Sequence, residues 1–258
     1  MRILGVRYRR DICPATAALL LFTASAAGQI PDKFENLQVL PKTISKKDLV
    51  ATMVNISLAT GLRCENCHVG EGGPELKNMT YPADDKETKR TARIMLRMVQ
   101  AINQDYITNL GRESPIKVEC ATCHHGVSRP QTLQALLADT IDRKGLTAAV
   151  AQYRDLRKNY YGSGAYDFRD VSLNQLGEAL LVKGKGKDAA AILELNVEFN
   201  PQSSGAHYRL SEAYRSVGEL EMARKNYEKT LELDPHYDRA KARLDELRKG
   251  PKAGTVPR

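Results

Sequence analysis

Apolar positions recur at helical spacing along most of this chain. In SKKDLVATMVNISLATG, Leu49, Met53 and Ile56 form one stripe. Ser45 stands where an N-cap belongs, Asp48 falls in the first turn and Gly61 closes the pattern. DDKETKRTARIMLRMVQAINQDY is a second helix, with Thr91, Met95, Met98 and Ile102 on one face. From Gln131 onward the reading is almost continuously helical, and GLTAAVAQYRDLRKNYYG sets Leu146, Val150, Tyr153 and Leu156 at helical spacing. A longer period then appears: Pro201 in EFNPQSS and Pro235 in ELDPHYD stand 34 residues apart. Over the same interval Leu176 matches Leu210, Gly177 matches Ser211, Leu180 matches Tyr214, Ala189 matches Ala223 and Leu193 matches Tyr227. The small residues let paired helices approach, and the Leu and Tyr positions fill the space between them.

This period resembles tetratricopeptide repeats, which are pairs of antiparallel helices. Residues 238–248 add one more helix whose charged outer face suits the end of a stack, and the helix around Tyr153 reads as a degenerate unit stacked on the first repeat. Such an array serves either as a protein-binding surface or as a stabilising spacer, and the sequence leaves both open.

The N-terminus changes the picture. MRILGVRYRRD carries four arginines and runs into PATAALLLFTASAA before Ala26, Ala27 and Gly28, the three regions of a secretory signal over residues 1–27. The apolar stretch is short of the roughly 20 residues that span a bilayer, so no membrane span is expected after cleavage, and Cys13 leaves with the signal. The expected location is periplasmic or otherwise exported. The net charge of +8 falls to about +5 without the signal, and no basic patch is interleaved with aromatics, which excludes nucleic acid as the expected partner. The expected division is a signal over 1–27, a cysteine-bearing domain over 28–130, a helical linker or degenerate repeat over 131–168, repeats with a capping helix over 169–250 and a tail over 251–258.

Chemistry concentrates in RCENCHVG and ECATCHHG, where Cys64, Cys67 and His68 share the spacing C-x-x-C-H with Cys120, Cys123 and His124, 56 positions later. Three readings compete. The thiols could add to haem vinyl groups while the histidine ligates iron, the two segments could give four thiolates to one zinc, or each pair could form a disulfide. Zinc and disulfides make no demand for a histidine after the second cysteine. Haem accounts for the histidines, the export signal and the duplication together.

Each iron then needs a ligand opposite its histidine. Only His125, His207 and His236 remain, the last two in the repeats. Met53 lies on a helix that turns back to Cys64 within a few residues, and either Met95 or Met98, one turn apart, precedes the second site. Methionine on an apolar helix face is also ordinary core packing, so position alone does not choose. Met79, in KNMTYP, is a spare. His125 adjoins its proximal neighbour too closely to reach the far side of the same iron; with Arg63, Arg93, Arg97 and Arg129 it is a candidate partner for haem propionates.

NLQVLPKTISKKDLVATMVNISLATGLRCENCHVGE, KRTARIMLRMVQAIN and VECATCHHG together resemble the cytochrome subunit of photosynthetic reaction centres and its shorter relatives in non-photosynthetic bacteria, over roughly residues 34–130. The resemblance implies two covalently bound haem c groups, through thioethers at Cys64, Cys67, Cys120 and Cys123. It also implies axial ligation by His68 and His124, with Met53 and Met98 from the preceding helices, leaving Met95 to packing. Reaction-centre subunits carry four haem segments where this chain has two, and lack the appended repeats, so the resemblance does not imply photosynthesis. The expected fold class is all-α: a multihaem cytochrome c domain of helix–turn–CxxCH units, followed by a tetratricopeptide-type helical repeat domain.

Two closed irons favour outer-sphere electron transfer, so the expected function is an exported dihaem cytochrome passing single electrons between redox protein partners, with a possible protein partner on the repeats. The alternatives are a dihaem enzyme with one open iron, peroxidase-like or acting on a nitrogen oxide, and a haem-bearing interaction scaffold.

Overall fold

The computed structural model describes residues 30–111 and 116–249; the expected signal over 1–27, with Cys13, and the tail over 251–258 lie outside the described residues. Among the described residues there is no β-strand, only an antiparallel bridge between Val69 and Thr80. None of their helices is long and apolar enough to cross a membrane.

Helix α1 (Lys46–Thr60) begins and ends where its caps dictate. Ser45 Oγ accepts from the Asp48 N–H at 3.1 Å, and Gly61 stops the helix at φ 69° with its N–H donating to Ser57 O. The single turn α2 (Cys64–Cys67) follows. Helix α3 (Glu87–Ala101) passes into a π-helical turn (Ile102–Ile107) and a 3-10 turn (Thr108–Leu110), and α4 (Cys120–His124) is again one short turn. α4 packs on α1 and α2 packs on α3, so each cysteine-bearing turn leans on the other unit's long helix. The Gly126 N–H donates to Ala59 O at 2.8 Å where α4 meets the end of α1.

Seven helices follow: α5 (Leu133–Lys144), α6 (Leu146–Tyr160), α7 (Asp170–Val182), α8 (Gly186–Phe199), α9 (Ser204–Ser216), α10 (Leu220–Leu233) and α11 (Asp238–Lys249). The 34-residue units are the pairs α7–α8 and α9–α10. A Cβ on Gly177 would lie 2.5 Å from Leu193 Cγ, so α7 and α8 meet at a separation that admits no side chain there. Ser211, at the equivalent place in the next unit, is buried with its hydroxyl donating to Tyr208 O at 2.6 Å. Buried Asn196 donates to Asp170 O and to Asn174 Oδ1, both at 2.9 Å, and Thr230, 34 residues on, is buried in turn.

Residues 131–168, expected as a helical linker or degenerate repeat, hold two helices. α5 and α6 form a pair joined by Gly145 alone, and Leu133, Leu137, Ile141, Ala149 and Tyr153 enter the same core as α7 and α8. The packed interior lies almost wholly in α5–α11. In residues 30–130 the only buried apolar side chains among those described are Leu49, Ala59 and Val127. That half of the chain closes around a cavity instead.

Candidate functional site

Both C-x-x-C-H segments fold by one local device. The Arg63 N–H donates to Asn66 Oδ1 at 2.7 Å, and the Glu119 N–H donates to Thr122 Oγ1 at 3.0 Å. In each, the residue just before the second cysteine caps the turn that carries both thiols, and one helical turn places the two cysteines on the same side. All four thiols are free. Burial pushes the Cys67 and Cys120 thiols up, the opposite of the lowered values found in redox-active C-x-x-C pairs. Among the described residues no three His, Cys, Asp or Glu side chains converge on one point, so the two segments do not assemble a four-thiolate zinc site.

The histidine after each turn is oriented through its Nδ1. His68 Nδ1 faces Tyr81 O at 3.2 Å, and His124 Nδ1 faces Val127 O at 2.9 Å. A ring that donates from Nδ1 to a backbone carbonyl leaves Nε2 as the free lone pair, the usual state of a metal-ligating histidine. Burial, then the Lys89 charge, holds the His68 imidazole below its ordinary pKa and so in the neutral form that can ligate. Tyr81 reaches this position because the chain doubles back between residues 69 and 80, tied by Thr80 N–H to Val69 O at 2.7 Å and Glu71 N–H to Lys77 O at 2.9 Å.

A cavity of about 820 Å³ opens beside the first segment. It brings Met53 from α1 together with Cys64, Cys67 and His68, and its walls are largely apolar: Leu37, Val39, Leu49, Ile56 and Leu62, with Ala92 and Leu96 from α3. Tyr81 also lines it, and its phenol oxygen is buried with no hydrogen-bond partner. These features fit a porphyrin tethered at the two thiols. The volume suits a large planar group, the walls are apolar, an imidazole and a thioether share the space, and the orphaned phenol has a proton for an acceptor such as a propionate. Arg93 lines the cavity too and is largely enclosed, but its guanidinium is committed to Asp84 at 2.8 Å and Asn36 O at 3.2 Å.

The other side of α3 is an open apolar face. Lys89, Ala92, Arg93 and Leu96 put one side of α3 into the cavity; Ile94, Met95 and Met98 lie on the other side and are exposed, as are Tyr106, Leu110 and Ile116 further along the chain. Uncovered large apolar side chains on the helix that precedes two thiols and an oriented imidazole in the chain fit a second tethered porphyrin. Met95 at 37% and Met98 at 43% are equally exposed, so exposure does not choose between them. Asn103 fixes the geometry. Its amide donates to Val99 O at 2.9 Å and Val118 O at 2.8 Å, and its Oδ1 accepts from the Val118 N–H at 2.8 Å. The start of the π-helical turn is thereby tied to the strand of chain entering Cys120.

The remaining candidates fall elsewhere. Met79 packs against Gly70. His125 is exposed at φ 48° as the C-cap of α4. His207 is engaged through both nitrogens, with Asn226 and Pro201 O, and His236 is exposed in the repeats. Arg63 borders the first cavity, Arg97 is exposed on α3, and Arg129 lines a small cleft between the end of α1 and α5–α6. Sequence reasoning missed Tyr81, Asn103 and the capping pair Asn66 and Thr122. Asn103 alone left a signal, as a polar residue ending an apolar helix stripe.

The chain matches two protein families. The tetratricopeptide repeat matches residues 204–237, the α9–α10 unit. The first half is similar to the photosynthetic reaction center cytochrome c subunit of Roseobacter denitrificans, 35% identical over 103 residues, which cover 40% of this chain and 26% of that protein. It is also similar to cytochrome c-554 of Chloroflexus aurantiacus, 32% identical over 107 residues, 42% of this chain and 23% of that one. The matched segment thus spans about a quarter of the length of these curated relatives. Among solved structures, the first tetratricopeptide domain of human RPAP3 covers 45% of this chain at a TM-score of 0.33 and 21% identity, with 87% of that domain matched. The Sgt2 domain from Aspergillus fumigatus covers 48% at 0.30 and 21%, with 86% of it matched. Likeness at this level says nothing of partners. The photosynthetic reaction centre cytochrome C subunit family matches residues 9–181, about two thirds of the chain, and with two thiol-bearing turns, their oriented imidazoles and a cavity fit for covalently bound haem c, this chain belongs to that family.

Proposed function

We propose that the protein is an exported dihaem c-type cytochrome that passes single electrons between redox proteins, with its helical repeats as a docking surface. In this reading residues 28–130 hold the haems, 131–168 join the two parts and 169–250 dock. The observation that carries it is the first cavity, where Met53 and His68 share one apolar space with the thiols of Cys64 and Cys67.

Haem c bound there supplies a one-electron ferric–ferrous couple. Cys64 and Cys67 tether it by thioethers, and Cys120 and Cys123 do the same at the second site. His68 and His124 ligate through Nε2, each held by its carbonyl partner. Met53 would hold the first iron and Met98 the second, and methionine would raise the potential relative to a second histidine. Met98 is favoured over Met95 because it is nearer the Asn103 tie that fixes the approach to Cys120. Leu49, Ile56 and Leu96 exclude water, which disfavours the more charged oxidation state. With a histidine and a methionine held to each iron, neither site would offer a place for a substrate to bind. The chain then acts as a carrier.

Absorption spectra of the purified ferric and ferrous protein, with a haem count per chain and added carbon monoxide or cyanide, test this. The expected result is two haems, a methionine-to-iron charge-transfer band and no uptake of either ligand. Rapid ligand binding at one haem would overturn the carrier in favour of an enzyme with an open site.

A further inference from the structure

The two proximal histidines are held alike but not in like surroundings. His124 Nδ1 faces Val127 O, and among the described residues no cationic side chain shares that carbonyl. His68 Nδ1 faces Tyr81 O, and the same oxygen accepts from Lys89 Nζ at 2.7 Å. Lys89 is not a free surface charge. Its side chain is 12% exposed, and its ammonium also donates to Ala83 O at 2.7 Å and pairs with Asp84 at 3.2 Å. Asp84 in turn pairs with Arg93 at 2.8 Å, so two cations share one carboxylate and the cluster keeps a net positive charge on the His68 side of the cavity.

From this we infer that Lys89 is a tuning residue that holds the potential of the first haem above that of the second. This role rests on the dihaem reading proposed above. A carbonyl that accepts from an imidazole N–H draws the ring toward imidazolate and makes it a stronger donor to iron, which favours the ferric state. An ammonium on the same oxygen takes up part of that acceptor capacity, so the His68 ring donates less. The net positive charge of the cluster opposes a further positive charge on the iron. Both effects favour the ferrous state at the first site, and the first of them is absent at the second, where among the described residues no ammonium shares the Val127 carbonyl. The difference lies in the shell around the histidine, because both sites share the same ligand types in this reading.

The test is a spectroelectrochemical titration of the full-length holoprotein beside Lys89→Met and Lys89→Arg. The first haem's wave is identified as the one lost when Cys64 and Cys67 are replaced by alanine. Lys89→Met should lower the ferrous-to-ferric ratio of the first haem about tenfold at fixed ambient potential, which is about 59 mV for one electron, and leave the second wave in place. Lys89→Arg should retain most of the wild-type value, and both variants should keep the charge-transfer band. A first wave unmoved in Lys89→Met, or two waves moved equally, overturns the inference while leaving the dihaem carrier intact. A wild-type protein with one wave or no charge-transfer band overturns the carrier itself. If Lys89→Met loses the band, Asp84→Asn decides: it strips the carboxylate from the cluster with Lys89 in place, so the first wave must rise, and a fall or no change sinks the role.

Discussion

Gly61 and Gly126 meet backbone to backbone: a Cβ on Gly61 would collide with the Gly126 carbonyl, beside the bond from the Gly126 N–H to Ala59 O. This contact locks the end of the helix bearing Met53 to the turn bearing the second pair of thiols. Gly61 also sits at φ 69°, where a side chain is strained. Gly61→Ala should therefore cost on the order of 2 kcal/mol in thermal unfolding of the holoprotein. Gly126→Ala, with φ 85° and open space for its Cβ, should cost about half as much. Equal losses would mean that strain, and not the close approach, governs the joint.

Met53 and Met98 separate by which haem opens. Met53→Ala should let carbon monoxide bind half of the ferrous haem, and Met98→Ala the other half, with each affected potential falling. Met95→Ala should bind none. Uptake by Met95→Ala, read from the absorption change at saturating ligand, would exchange the two methionines' roles.

Because the packed interior lies in α5–α11 and the first half closes on a cavity, the halves should part company without haem. In a full-length chain with Cys64, Cys67, Cys120 and Cys123 replaced by alanine, amides of residues 133–249 should keep their hydrogen-exchange protection while those of 30–111 and 116–130 lose it. Uniform protection, or uniform loss, would show that haem does not organise the first half alone.

Asn103 makes three bonds across the base of the second site. Asn103→Leu removes them and leaves the Val118 backbone groups without partners, at a cost of about 1–3 kcal/mol. The charge-transfer intensity should halve through loss at the second haem, with the first wave unmoved. Loss at both would mark Asn103 as a general scaffold residue.

Asp84 gives a signed pH dependence. The Arg93 guanidinium, with Lys89 beside it, holds the carboxyl well below its ordinary value of 3.8. A carboxylate depressed in the folded state adds stability that is present above its ordinary pKa and is lost as pH falls below it. The melting temperature of wild type should exceed that of Asp84→Asn at pH 7 and at pH 5, and the gap should close below pH 3.8. A gap that closes between pH 7 and 5 would assign it to another group.

The two cysteine-bearing turns were legible because their pattern is local: Cys64, Cys67 and His68 lie within five residues, and a single turn is enough to align them. The repeats were legible because a 34-residue period writes the same packing twice, with Gly177 and Ser211 as its small members. What escaped were contacts closed over a distance. Tyr81 reaches His68 only after a loop of a dozen residues turns back, and Asn103 reaches Val118 across fifteen. Neither pairing has a sequence pattern, since in each a backbone group is one of the two partners and asks nothing of the side chain it belongs to. The pairing of α5 with α6 was hidden for a related reason: one glycine, Gly145, makes the whole turn, and two helices so joined read as one stretch.

Helix α3 presents one side to the first cavity and leaves Ile94, Met95 and Met98 exposed on the opposite side, which the second haem covers in the reading proposed above. With a haem against each side, the helix is a partition of fixed thickness, about 10 Å with its side chains. Substitutions on either surface can retune one iron, as Lys89 does, while the gap that an electron must cross stays constant. Potential and spacing, which a flexible loop would leave entangled, become separate design variables of a single rigid rod.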